Sequence, residues 1–225
     1  MQTQQALLAT AKFQSHAPRA VGVEFWAGLS LTGVALRFQR NEEIFGEEEE
    51  ADFVYKVISG AVRSFRMLSD GRRQVVGFHL AGEVFGLERG EAHRFSAEAV
   101  SDCVVVLTRR ATLDKLALAD GAAARWLWGL SADEMERLQD HALLLGRQTA
   151  IERIVAFLME MARRAPLAGG IDLPMSRSDI ADYLGLTVET VSRTLTQLER
   201  DRVISIPSSR RIMLLDRAGL TARAA

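Results

Sequence analysis

Between residues 34 and 108 the apolar side chains come in short runs separated by turn formers. Val34–Gln39, Phe53–Ser59, Ala61–Leu68, Arg72–His79, Arg94–Ser101 and Cys103–Thr108 are rich in Val, Phe and Ile; Ser59-Gly60, Ser69-Asp70-Gly71 and Ala81-Gly82 punctuate them. β-Branched and aromatic side chains suit a pleated, half-buried surface, and Gly and Asp reverse the chain. Strands recurring every ~8–12 residues predict a β-sandwich or barrel. The acidic run Glu47–Glu50 predicts a solvated turn.

From Arg109 the period lengthens to that of a helix. Trp128, Ser131, Met135, Leu138, Ala142 and Leu145 fall alternately three and four residues apart, which keeps one stripe facing one neighbour. Asp133, Glu134, Glu136, Arg137 and Asp140 occupy the other faces. A long helix between two domains is well placed to pair with its copy, so the stripe predicts a homodimer interface. Packing on the chain's own β domain is the alternative. Gly146 is a weak break. A second striped segment, Gln148–Arg164, carries Ile151, Ile154, Val155, Leu158 and Met161, and Pro166, Gly169 and Gly170 stop it.

Ser176-Arg177-Ser178-Asp179 is a capping-box pattern, a serine N-cap with a carboxylate three residues later. It opens a short helix with Ile180, Ala181 and Leu184 inward. Gly185 ends that helix, because glycine turns left-handed without a steric cost. Leu186 plugs the corner, Thr187 caps the next helix, and Glu189 suits its positive end. Helix, glycine turn, helix is the helix-turn-helix pattern.

The second helix divides by face. Val191, Leu195 and Leu198 form an inward stripe, while Glu189, Ser192 and Arg193 share another face. Arginine can donate twice to guanine, glutamate can accept from cytosine N4, and serine can bond several base edges. The bland alternative is a Glu189–Arg193 pair on a solvated helix, worth only ~0.2–0.5 kcal/mol. Beyond it, Val203–Ile206 and Arg211–Leu214 flank Pro207-Ser208-Ser209-Arg210. This predicts a hairpin wing that brings Arg210 and Arg211 to the phosphate backbone.

Charge supports this division. The chain has 225 residues and a net charge of −1, yet residues 1–146 hold 16 Lys+Arg against 20 Asp+Glu and residues 147–225 hold 12 against 9. Every basic residue after Lys115 is arginine, the better partner for guanine and phosphate. No apolar run approaches the ~20 residues of a membrane span. The first thirty residues, interspersed with Gln2, Gln4, Gln5, Lys12 and Arg19, lack the apolar core of a signal peptide. Cys103 is the only cysteine, which excludes an internal disulfide. A cytoplasmic protein with no membrane association is expected.

Residues 176–195, SRSDIADYLGLTVETVSRTL, resemble the DNA-binding helices of the cyclic AMP receptor protein/FNR (CRP/FNR) family. Glu189-Thr190-Val191-Ser192-Arg193 is similar to its FNR and FixK branch, and Val54–Val62 and Ala81–Gly86 resemble its β-roll signatures. The resemblance covers roughly residues 30–215 and implies an α+β architecture. Residues 1–110 would form a cyclic-nucleotide-binding-like β-roll (jelly roll), 111–146 a dimerisation helix, and 147–225 a winged helix-turn-helix. It implies a homodimer on double-stranded DNA that contacts RNA polymerase, an activator placed in microaerobic or nitrogen-fixation control. Glu189, Ser192 and Arg193 would read a TTGA-N6-TCAA-like palindrome, with Arg177, Thr187 and Thr190 on the backbone. Val188 stands where the cyclic AMP receptor protein has a third base-reading arginine.

The effector site departs from the family pattern. Gly86-Leu87-Glu88 sets the carboxylate one position late, Arg94 is followed by Phe95, and Arg89–His93 looks shortened. Glu88, Arg94 and Ser96 therefore mark a degenerate ligand pocket, in which Glu88 and Arg94 can pair with each other. Oxygen-sensing FNR proteins carry an N-terminal cysteine cluster; this chain has none, and Cys103 reads as a core residue. No metal or cofactor is expected, though haem through His79 or His93 is an alternative. Two readings from other classes stay open: a sensor whose β-roll binds a cyclic nucleotide or other small molecule to gate DNA affinity, and a cupin-like enzyme using Glu83, His79 and His93. The lack of an HxH cluster weighs against the enzyme.

Overall fold

The computed structural model describes residues 19–26, 29–147, 149–165 and 170–224. Nine strands lead: β1 Arg19–Trp26, β2 Leu29–Phe38, β3 Glu43–Phe45, β4 Phe53–Ser59, β5 Ala61–Met67, β6 Arg73–Leu80, β7 Val84–Phe85, β8 Ser96–Ala99 and β9 Cys103–Arg109. They form two antiparallel sheets, in the orders β1-β2-β9-β4-β7 and β3-β8-β5-β6. Leu36, Phe38, Ile44, Phe45, Tyr55, Val57, Val62 and Phe85 fill the space between them. On β9, Cys103, Val105 and Leu107 point into this core, while Val106 points outward beneath Leu113. Both faces of β9 are covered, which is why it reads as an unbroken apolar run.

The β4–β5 turn depends on Gly60, whose φ is +80°. A Cβ there would also lie 2.6 Å from the Cβ of Cys103. Glu47–Glu50 does form a turn, with Glu48 at φ +69°, but Glu47 pairs with Arg66 of β5 rather than only with water. The expected strand Arg94–Ser101 is only Ser96–Ala99. β1, β3 and β7 escaped the sequence reading: β1 precedes the segment that reads as strands, and β3 and β7 are too short to show a period.

The helix expected over 111–146 is two helices, α1 Arg110–Ala119 and α2 Gly121–Leu145. Asp120 between them is extended (φ −135°, ψ 113°), and its carboxylate accepts from the Ala122 amide at 2.8 Å. Next come α3 Ala150–Arg164, β10 Gly170–Asp172, α4 Arg177–Leu184, α5 Val188–Arg200, β11 Ile204–Ser205, β12 Arg211–Leu214 and α6 Arg217–Ala224. The stop signals Pro166 and Gly169, and the start Gln148, lie outside the described residues. A capping box of Thr149 with Glu152 opens α3.

The core of this C-terminal half is continuous with the outer face of the second sheet. Phe157 and Leu158 of α3, Leu184 of α4 and Leu195 of α5 share one cluster with Ala61, Val75, Phe78 and Leu80 of β5 and β6. The helix-turn-helix is thus seated on the β-sandwich, with both apolar surfaces removed from water. Among the described residues no helix is long and apolar enough to cross a membrane.

Candidate nucleic-acid interface

The start of α4 forms as its sequence dictates. Ser176 Oγ accepts from the Asp179 amide at 3.1 Å, and Asp179 Oδ2 accepts from the Ser176 amide at 2.9 Å. Ile180, Ala181 and Leu184 are buried, and Tyr183 joins them. Gly185 is left-handed (φ 62°, ψ 41°), and half-buried Leu186 packs onto the core at the corner. Thr187 Oγ1 accepts from the Thr190 amide at 3.1 Å and opens α5.

On α5 the buried side is Val191, Leu195 and Leu198, with Thr194 beside them. Glu189 and Arg193 are exposed and Ser192 is half-buried. Among the described residues no ion pair joins Glu189 to Arg193, and both charges face solvent in this structure. The polar face continues as a shallow depression of about 430 Å³ lined by Ser192, Arg193, Thr196, Gln197, Arg200 and Asp201.

The residues assigned to the DNA backbone surround this face. The Oγ1 atoms of exposed Thr187 and half-buried Thr190 lie 3.0 Å apart. Arg177 is half-buried with Nη1 lacking a hydrogen-bond partner. Burial pushes its guanidinium below the ordinary arginine value, against the opposing charge of Glu199. In the wing β11 and β12 pair antiparallel, and β10 adds a third strand on β12, which three residues could not announce in the sequence. The Arg210 carbonyl accepts from the Leu173 amide at 2.7 Å, while the Arg210 and Arg211 side chains are exposed. Neither forms an ion pair among the described residues.

Most of the stripe expected at a dimer interface lies open on α2. Trp128 is 76%, Met135 61% and Leu138 48% exposed, and Ser131 and Ala142 are exposed too. Leu145 departs from the expectation. It is half-buried against the core of the DNA-binding half, because the last turn of α2 has reached that half. Leu143, 72% exposed, lies at the same end of the helix.

The supposed ligand trio is only partly brought together. Glu88 and Arg94 line a cavity of about 370 Å³ with Ser64, His79, Phe85 and Leu138. Ser96 is not in its lining; its Oγ accepts from the Glu47 amide at 3.0 Å. Glu88 faces His93 Nδ1 at 3.4 Å rather than Arg94. Burial would raise the Glu88 carboxyl, but the His93 interaction holds it below its ordinary value. His93 itself stacks on Phe45 at 3.6 Å between ring centroids.

The cupin-like grouping does not assemble. Glu83 pairs with Arg164 at 2.7 Å, His79 bonds Ser64 Oγ at 2.8 Å, and no metal-sized cluster of three His, Cys, Asp or Glu exists among the described residues. Cys103 is buried, and burial pushes its thiol up to about 12, so it is a core residue as expected.

Residues 35–120 match the model of the cyclic nucleotide-binding domain and residues 152–223 that of the Crp-like helix-turn-helix domain. Fold and reading helix together define a two-part, DNA-binding transcription regulator. The nitrogen fixation regulation protein FixK of Azorhizobium caulinodans is 51% identical over 193 residues, 84% of this chain and 78% of that protein. FixK of Rhizobium meliloti is 41% identical over 200 residues, 88% and 92% of the two chains. The structure of FixK2 from Bradyrhizobium japonicum superposes with a TM-score of 0.84 at 50% identity, covering 87% of this chain and 98% of that one. The chain belongs to the CRP/FNR family, in its FixK branch.

Proposed function

We propose that this regulator binds a TTGA-N6-TCAA-like palindrome as a homodimer, with Glu189, Ser192 and Arg193 reading each half-site. Arg177, Thr187, Thr190, Arg210 and Arg211 hold the phosphate backbone, so they contribute affinity and register rather than sequence choice. Residues 1–110, 111–146 and 147–225 serve as sensor-like, dimerisation and DNA-binding parts. Trp128, Ser131, Met135, Leu138 and Ala142 face the second copy, which sets the two reading helices about one turn of DNA, ~34 Å, apart. The observation that carries this is the unpaired, exposed Glu189 and Arg193 opposite the buried Val191–Leu198 stripe. The names of the FixK relatives support a role in nitrogen-fixation control; activation through RNA polymerase, microaerobic control and a cytoplasmic location are part of the same proposal.

Selecting bound sequences from random DNA with the purified protein tests the reading. An inverted repeat of TTGA-like half-sites is the expected product, and a pool without any palindrome overturns it. The cavity beside Glu88, Arg94 and Leu138 favours a second reading, in which a cyclic nucleotide or other small molecule gates DNA affinity. Calorimetric titration with cyclic AMP and cyclic GMP, repeated in the presence of operator DNA, decides that reading.

A further inference from the structure

The first helix of the reading unit is tied to the β-sandwich by charge as well as by apolar contact. Asp179, 2% exposed, uses Oδ2 for the α4 cap, accepting from the Ser176 amide and hydroxyl at 2.9 and 2.7 Å. Its Oδ1 accepts from Arg63 Nη1 at 2.9 Å and Arg73 Nη2 at 2.7 Å. Arg63 lies on β5 and is 4% exposed; it is held in turn by Glu98 of β8 at 2.8 Å. Arg73 of β6 also reaches Asp182 Oδ2 at 2.9 Å, and neighbouring Gln74 donates to the Asp182 carbonyl at 2.8 Å. One carboxylate therefore closes the helix cap and receives two arginines from strands more than 100 residues away.

Energy alone does not account for this arrangement. Taking charged groups out of water is costly, and well-packed apolar residues often serve stability as well or better. What the charges add is direction. The apolar contact of Val75 and Phe78 with the helix core is non-directional and tolerates sliding. A guanidinium fork meeting a carboxylate fixes both distance and plane. Because only Gly185 and Leu186 separate α4 from the Thr187 cap of α5, the tilt of α4 determines how α5 projects.

We propose that Arg63 and Arg73 are positioning residues for DNA reading, which set the angle of the recognition helix through Asp179 and Asp182 and thereby the spacing between half-sites that the protein accepts. The inference rests on the homodimeric, palindrome-reading function above. Arg63 and Arg73 touch no base; they hold each reader where its copy, carried by the other subunit, can enter the next major groove.

The test compares wild type, R63Q and R73Q on palindromes whose spacers differ by one base pair in either direction. Wild type is expected to prefer the optimal spacer by roughly tenfold, and the variants to flatten that preference to within about threefold. Base preference within each half-site stays unchanged, which a general loss of structure would not leave intact. Circular dichroism and thermal melting establish that each variant folds. If R63Q does not, D182N, which takes one carboxylate from Arg73 and leaves the cap untouched, carries the test with the same outcomes. Wild-type spacing selectivity in folded variants overturns the proposal.

A second readout needs no DNA. Pulsed electron-resonance distances between spin labels at E50C and Q197C are expected to be narrow in the wild-type background and broadened by R73Q. Broadening without any palindrome preference in wild type would overturn the DNA-reading function while leaving the clasp in place. An unbroadened distribution overturns the clasp.

Discussion

His141 of α2 lies flat on Tyr183 of α4, with ring centroids 3.9 Å apart and planes 2° from parallel, and its Nε2 is 2.8 Å from the Tyr183 carbonyl oxygen. A carbonyl only accepts, so Nε2 carries the proton of this ring. The contact joins the long helix to the reading unit.

Burial lowers the His141 pKa below the ordinary 6.5, although the Tyr183 carbonyl works in the other direction. Burial likewise lowers His79. The unfolded chain then binds protons more readily than the folded one. The associated stability is complete above about pH 6.5 and is lost as the pH falls through the lower folded values. Urea midpoints should therefore drop between pH 7.5 and 5, and H141F should show a shallower drop from a lower starting point. An equal slope in wild type and H141F would remove His141 from this account.

Arg193→Ala should cost ~1–3 kcal/mol per half-site and relax the guanine preference at one position. Arg210→Ala should weaken all sequences alike and reduce the salt slope of binding by about one. Titrations of operator and scrambled DNA at several salt concentrations separate the two. Equal losses on both DNAs for Arg193→Ala would take base reading away from that residue.

Gly185→Ala should destabilise by about 1–2 kcal/mol, through its left-handed backbone and not through crowding, since the nearest atom to an added Cβ is 3.7 Å away. Gly185→Asn should cost less. Thr187→Ala should cost ~0.5–2 kcal/mol by uncapping α5. Urea unfolding at constant pH measures all three.

Met135→Glu should leave the fold intact, because the side chain is 61% exposed in a single chain. In a dimer it would set a charge in each copy of an apolar seam. Sedimentation should show monomers, and operator affinity should fall with the loss of the second half-site. A stable, DNA-binding dimer of this variant would move the interface away from the α2 stripe.

Much of the reading unit was legible because its signals are local. Ser176 with Asp179, Gly185, Thr187 and the Val191–Leu198 stripe all act within one or two helical turns. Two further signals are equally local: Thr149 with Glu152, and Asp120 before Gly121, which divides the expected single helix. β3, β7 and β10, of two or three residues each, carry no period to detect.

The amino-acid order by itself determined the nature of the reader, its caps and its outward Glu–Ser–Arg trio, since those depend on neighbours up to about four residues away. Only the tertiary structure decided that Leu145 turns inward, that Glu88 meets His93, and that Arg63 reaches Asp179 across 116 positions. Such partners are chosen by which sheet faces come together, and periodicity along the chain records whether a side chain is buried but not against what.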